Sequence, residues 1–341
     1  MAYTTINKSG DYFNTKLYTG TGSSQGITGV GFKPDFTWIK QRSGVEQNVL
    51  FDVVRGVQKY IASNTTAAEA TTATTLTAFN SDGFTEGGHG MTGANGSTYA
   101  SWNWKANGAG SANTDGSISS TVSANTTSGF SIVSYTGNAV AGATIGHGLG
   151  VVPKMIITKK LNGTPNWGVY HEGLGSASKY LELNLTSAEQ TDNSVWDGTT
   201  PTSSTFLVGS DNKTNGSGGN YIAYCFNDVQ GYSKFGSYTG NGNADGTFVY
   251  TGFKPAFIMM KRTDNTNHFA IYDNKRNGFN DENNYLRADG NYAEGNATWG
   301  DLDILSNGFK PRAVDGMHNA SGGTYIYMAF AEAPLVGSNN V

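Results

Sequence analysis

Five histidines are the side chains best suited to moving protons or holding metal in this chain: His89, His147, His171, His268 and His318. No two stand at the H-x-x-x-H spacing that puts paired ligands on one helical face. A glycoside hydrolase needs two carboxylates flanking the scissile bond. Glu46, Glu69, Glu86, Glu172, Glu182 and Glu189 are scattered, and none is expected to recur at an equivalent place in the repeat described below. The glycine-rich tracts EGGHG (86–90) and NGSGGN (215–220) lack the Lys-Ser/Thr ending of a phosphate loop and read as turns. The Asp/Asn loops DNKTNG (211–216) and TDNTNH (263–268) carry oxygen ligands, but at no EF-hand spacing. The expectation is therefore no catalytic residue, no metal set, no cofactor and no enzyme.

Binding chemistry is better supplied. Sugars are recognised by aromatic faces, with amides and carboxylates on the hydroxyls, an extension of the general rule for polar groups in pockets. Trp167, Trp196 and Trp299 lie among Asn and Asp where the repeats differ, and are expected to be exposed contacts. His171 is grouped with them as a candidate ligand-binding residue.

The elements that would position these residues come from a phrase written three times. GFKPDFTWIK (31–40), GVVPKMIITKK (150–160) and GFKPAFIMMKR (252–262) each follow a Tyr-Thr-Gly, at Tyr18, Tyr135 and Tyr238. Counted from Pro34, Pro153 and Pro255, a lysine stands six residues on (Lys40, Lys159, Lys261) and Asp52, His171 or Asp273 eighteen on. The first is expected to be a solvated strand end, with Lys40 outward, and the second a polar strand terminus. A second tyrosine follows at Tyr60, Tyr180 and Tyr285, where the spacing drifts. Each unit closes on an aromatic strand: YASWNW (99–104), YIAYCF (221–226), YIYMAF (325–330).

Alternation gives the strand faces. Phe36 and Trp38, Met155 and Ile157, Phe257 and Met259 sit two apart and are assigned to the core. So is the bulkier closing-strand face, with Trp102 and Trp104, Tyr224 and Phe226, and Phe330. About seven short strands per hundred residues, with no helical period, predict an all-β chain of three tandem antiparallel β-sandwich (jelly-roll or concanavalin-like) units. The Ala/Thr-rich tract 65–78 leaves room for one helical turn. The units are placed at 1–107, 118–229 and 230–341, with a flexible linker at 108–117. Units two and three are expected to abut, and unit one to stand apart.

Bulk properties narrow the partners. The net charge is −4 with no basic block, which argues against nucleic acid. One cysteine, Cys225, excludes an intrachain disulfide. The start MAYTTINKSG lacks a signal-peptide pattern and no apolar run approaches a membrane span. The chain is read as soluble and made in a cytosol.

Several stretches together resemble a family of bacteriophage proteins from marine viruses: YTGTGSSQGITGVGFKPDFTWIKQRS, FDVVRGVQKYIASNTT, YASWNWKANG, GYSKFGSYTGNGNADGTFVYTGFKPAFIMMKR and SGGTYIYMAFAEAP. That resemblance covers nearly the whole chain. It implies a virion structural protein made in the host cytoplasm, with other virion proteins and host cell-surface glycans as partners. A tail-fibre or receptor-recognition role is expected, trimeric by analogy. The alternative is capsid-exterior decoration, and a polysaccharide depolymerase ranks last. The resemblance carries no catalytic residues.

Overall fold

The computed structural model describes residues 4–277, 280–281, 283–296 and 300–334. The proline-led phrases open strands Phe36–Gln41 and Met155–Lys160 and lie within Phe253–Arg262. Each pairs antiparallel with the closing strand of its own unit, at Thr98–Trp104, Asn220–Phe226 and Thr324–Pro334. On the other side of each closing strand lies an opening strand that carries the Tyr-Thr: Phe13–Thr19, Phe130–Thr136 and Ser233–Thr239. Beyond each proline-led strand come Val49–Asp52, Gly168–His171 and Phe269–Asp273. A smaller antiparallel sheet covers the outside of each unit, built on the pairs Gln25–Thr28 with Gly83–Glu86, Ala143–Gly146 with Thr205–Val208, and Val249–Tyr250 with Gly308–Pro311. The chain is all-β, and each large sheet with its small one forms a sandwich.

Both faces of each large sheet are buried, not one. Tyr99, Ser101 and Asn103, and their counterparts Tyr221, Ala223 and Cys225, face their own small sheet. The bulkier face, with Ala100, Trp102 and Trp104, meets the same face of the other two units in one shared core. Trp104, Phe226 and Phe330 close a triangle there, with ring centroids 6.4, 6.1 and 5.6 Å apart. Phe36, Trp38, Met155, Ile157, Tyr224, Phe257 and Met259 line the same core. Unit one is thus not set apart. Its aromatic face would meet water unless the other two units covered it.

Two further expectations fail. Part of 108–117 is not a free linker: Ser111–Asn113 pairs with Ser120–Asn125, which in turn pairs with the opening strand of unit two. The Ala/Thr tract holds turns and the strands Ala70–Thr71 and Leu76–Asn80, with no helix. Its threonine density favours extended backbone.

Candidate functional site

The recurrent lysines are buried, with about 0–1 % of their surface exposed, and Lys40 does not point outward. Each ammonium donates to carbonyls of the loop after its own strand and to one carbonyl of a neighbouring unit. Lys40 donates to Gly44 and Glu46 and crosses to Asn291 at 3.2 Å. Lys159 donates to Gly163 and Pro165 and crosses to Thr66 at 3.0 Å. Lys261 donates to Asn267 and crosses to Thr186 at 2.9 Å. Unit one thus reaches unit three, unit two reaches unit one, and unit three reaches unit two. Burial pulls all three lysines down to about 8.

The residues eighteen after proline also serve as joints. Asp52 accepts from Arg55 and from the Tyr224 hydroxyl of unit two, at 2.5 and 2.8 Å. Asp273 accepts from Arg276 and from Trp102 Nε1 of unit one, at 2.7 and 3.0 Å. In unit two the same place holds His171, the arginine is replaced by the buried Leu174, and the facing residue is Met328. His171 instead sets Nε2 3.1 Å from the Tyr327 carbonyl and accepts the Gly173 N–H on Nδ1. Burial pushes it down to about 4, so it is neutral. An uncharged trio has replaced two buried charges and their donor.

The tryptophan expectation is corrected. Trp167 is fully buried and donates to the carbonyls of Ala62 and Thr65 of unit one. Trp196 packs inside unit two against Tyr170 and Phe206. The Trp167 segment fits a neighbouring unit, whereas Trp196 fills the interior of its own. Trp299 lies outside the described residues. The structure therefore does not bring Trp167, His171 and Trp196 together at an exposed surface.

Counting from the second tyrosine rather than the proline exposes a pattern that the insertions hide. Asn64, Asn184 and Asp289 stand four residues after Tyr60, Tyr180 and Tyr285, and Glu69, Glu189 and Glu294 nine after. The glutamates do recur. Each donates its backbone N–H to the next unit, at Leu161, Thr263 and Arg42. Their carboxylates join ion pairs with Arg55, Lys179, and Arg42 and Arg276 respectively. Asn64, Asn184 and Asp289 each accept a backbone N–H at or just before the start of a strand, from Asn48, Trp167 and Phe269.

Those three residues meet in an open cleft of ≈ 290 Å³ with Thr186, His268, Asn291 and Tyr292. That volume stands just under the lower end of the range, roughly 300–1,000 Å³, of pockets that take drug-sized ligands. Tyr292 is 50 % exposed, with the Arg287 guanidinium 4.7 Å over its ring and the His268 ring edge-on at 5.9 Å. His268 Nδ1 lies 2.7 Å from Asp289 Oδ2. Lys40 and Lys261 hold the Asn291 and Thr186 carbonyls, so two of the buried ammoniums fix the cleft wall. The cleft offers one aromatic face and a rim of amide and imidazole groups, while the buried Asp289 carboxylate behind them is held by His268 and the Phe269 N–H. Of these residues the sequence singles out only His268, as one of five histidines, and gives no sign of Tyr292.

Two other possibilities give no site. GSSQG (22–26) has nucleophile-elbow spacing, but Ser24 is exposed ahead of the strand Gln25–Thr28 rather than on a strand-to-helix turn. Among the described residues no group of three metal-ligating side chains converges. In DNKTNG, Asp211 accepts the Lys213 N–H.

The fold and cleft define an all-β protein of three sandwiches around a common core, with polar surface sites at their junctions. A family model described as a domain of unknown function (DUF7483) matches residues 8–334, and the chain belongs to that family. No curated protein and no solved structure matches it.

Proposed function

We propose that this chain is a structural component of a bacteriophage particle, in a tail-fibre or receptor-recognition role, and that it binds host surface glycans at the Tyr292 cleft without cleaving them. The observation that carries the reading is the half-exposed Tyr292 ring beside Asn64, His268 and Asp289. An aromatic face flanked by amide and imidazole groups suits the C–H face and hydroxyls of a sugar ring. The recurrent carboxylates are engaged in ion pairs, which favours binding over hydrolysis. The phage assignment rests on the sequence resemblance.

A glycan array tests it. The wild type retains host polysaccharide fragments, while Tyr292→Ala loses roughly tenfold or more in affinity, equal to about 1.4 kcal/mol. Retention unchanged in Tyr292→Ala, or silence across the host polysaccharides, overturns the glycan reading. The alternative, capsid-exterior decoration, draws on Phe248 and Tyr250, 44 % and 55 % exposed on either side of Val249. Immunogold labelling confined to capsid faces would favour it.

A further inference from the structure

The three opening strands present the same edge and treat it in three different ways. In each, alternate residues pair with the closing strand and the others turn their N–H and C=O outward. In unit one Tyr12 O accepts Lys105 N and Gly20 N donates to Ser97 O, so the backbones of Thr15 and Leu17 face away from the sheet. In unit two the equivalent residues, Ile132 and Ser134, stand opposite Ser123 and Thr121 of the added strand Ser120–Asn125. In unit three Phe235 N–H donates to Asp228 Oδ1 at 2.7 Å, and Val229 bridges to Ser233. There the edge is closed by a carboxylate.

Unit one has neither cover. The segments before the opening strands align as NKSGDYF (7–13) and NDVQGYS (227–233), so Lys8 stands where unit three has Asp228. A lysine cannot accept the Thr15 N–H; Lys8 pairs with Asp11 instead. Among the described residues the Thr15 and Leu17 amides have no partner, and the buried Thr15 hydroxyl has none either. An open groove of ≈ 360 Å³ runs along this edge, lined by Asn14, Thr15, Lys16, Leu17, Gly29 and Lys275. Lys16 lies against Gly29, within reach of the field of Asp82. Lys275 is exposed and has no carboxylate partner among the described ion pairs.

We propose that the free edge of Phe13–Thr19 is a docking site for one extended, carboxylate-bearing segment of a partner polypeptide, which adds antiparallel as Ser120–Asn125 does in unit two. Backbone pairing supplies affinity in this mode and side chains supply selection. The selecting charges are Lys8, Lys16 and Lys275, and the incoming carboxylate takes the part that Asp228 plays in unit three.

The probe is the chain's own added strand as a peptide, ISSTVSANTT (118–127), beside a version with Asp at its fifth position. That position stands opposite Val133, the counterpart of Lys16. The acidic peptide is expected to bind roughly tenfold tighter than its parent and to slow hydrogen exchange across residues 13–19. Lys16→Glu reverses the preference. Thr15→Pro removes only an outward N–H, a place where an edge strand tolerates proline, and abolishes binding while the melting temperature holds. Failure of both peptides to bind at about 1 mM, unchanged binding to Thr15→Pro, or slow exchange of the Thr15 and Leu17 amides in the free protein would each overturn the proposal.

Discussion

Burial of titratable side chains gives this protein a sharp dependence on acid. His171 and His318 are held down to about 4 by burial, and His147 is lowered for the same reason. Unfolded, each would take a proton near 6.5. Between those values the unfolded chain binds protons that the folded chain refuses, so stability falls as pH drops from about 6.5 to 4. His171 and His318 each contribute a slope of about 1.4 kcal/mol per pH unit in that window. Urea titrations at several pH values are expected to show His171→Gln losing one proton's worth of that slope. An unchanged slope would mean that His171 is charged in the folded state. Comparing variant with wild type removes the opposing effect of Asp35 and Glu86, whose carboxyls burial pushes up.

At the scale of strands and loops, each recurrent lysine pins a loop and a neighbour together. Lys159→Met keeps the stem but leaves the carbonyls of Thr66, Gly163 and Pro165 without their donor. The expected cost is roughly 2–4 kcal/mol, read as a lower urea midpoint, with faster amide exchange in 161–166. A loss below about 0.5 kcal/mol would return the lysine to the solvated strand end that its sequence suggested. Much of the fold was legible. Proline, apolar residues at two and four, and the closing aromatics predicted strands and an inward face for Phe36, Trp38, Met155, Ile157, Phe257 and Met259. The fate of Lys40 was not legible. Alternation reports which face a residue takes, and a strand buried on one face by its own small sheet and on the other by the other units has no solvent face. The cleft stayed hidden because insertions before the second tyrosine shift Asn64, Asn184 and Asp289 out of register with the prolines. The tyrosine restores the register. Trp167 and Trp196 misled because variation between the repeats was taken as a mark of exposure, whereas Trp167 meets unit one and Trp196 fills the interior of its own unit.

For the whole molecule, the shared core means that no unit keeps its hydrophobic face without the others. Calorimetry is expected to give a single transition with equal calorimetric and van't Hoff enthalpies. The excised segment 118–229 should bind a hydrophobic dye and show no cooperative melt. Two resolved transitions would instead restore an independent first unit. Contacts between units run head to tail: the lysines link one to three, three to two and two to one, while the glutamate amides run in the opposite sense. A head-to-tail interface either closes into a ring or propagates as a filament. Here it closes within a single polypeptide, which fixes the copy number. Open solenoids gain or lose a repeat at little cost, because each repeat meets only its neighbours. In this architecture a gene duplication adding a fourth unit, or a deletion leaving two, would strand one set of lysines without carbonyls and open the Trp104–Phe226–Phe330 triangle to water. Drift in such a lineage is therefore channelled into loop length and surface residues, and the number of repeats is held at three.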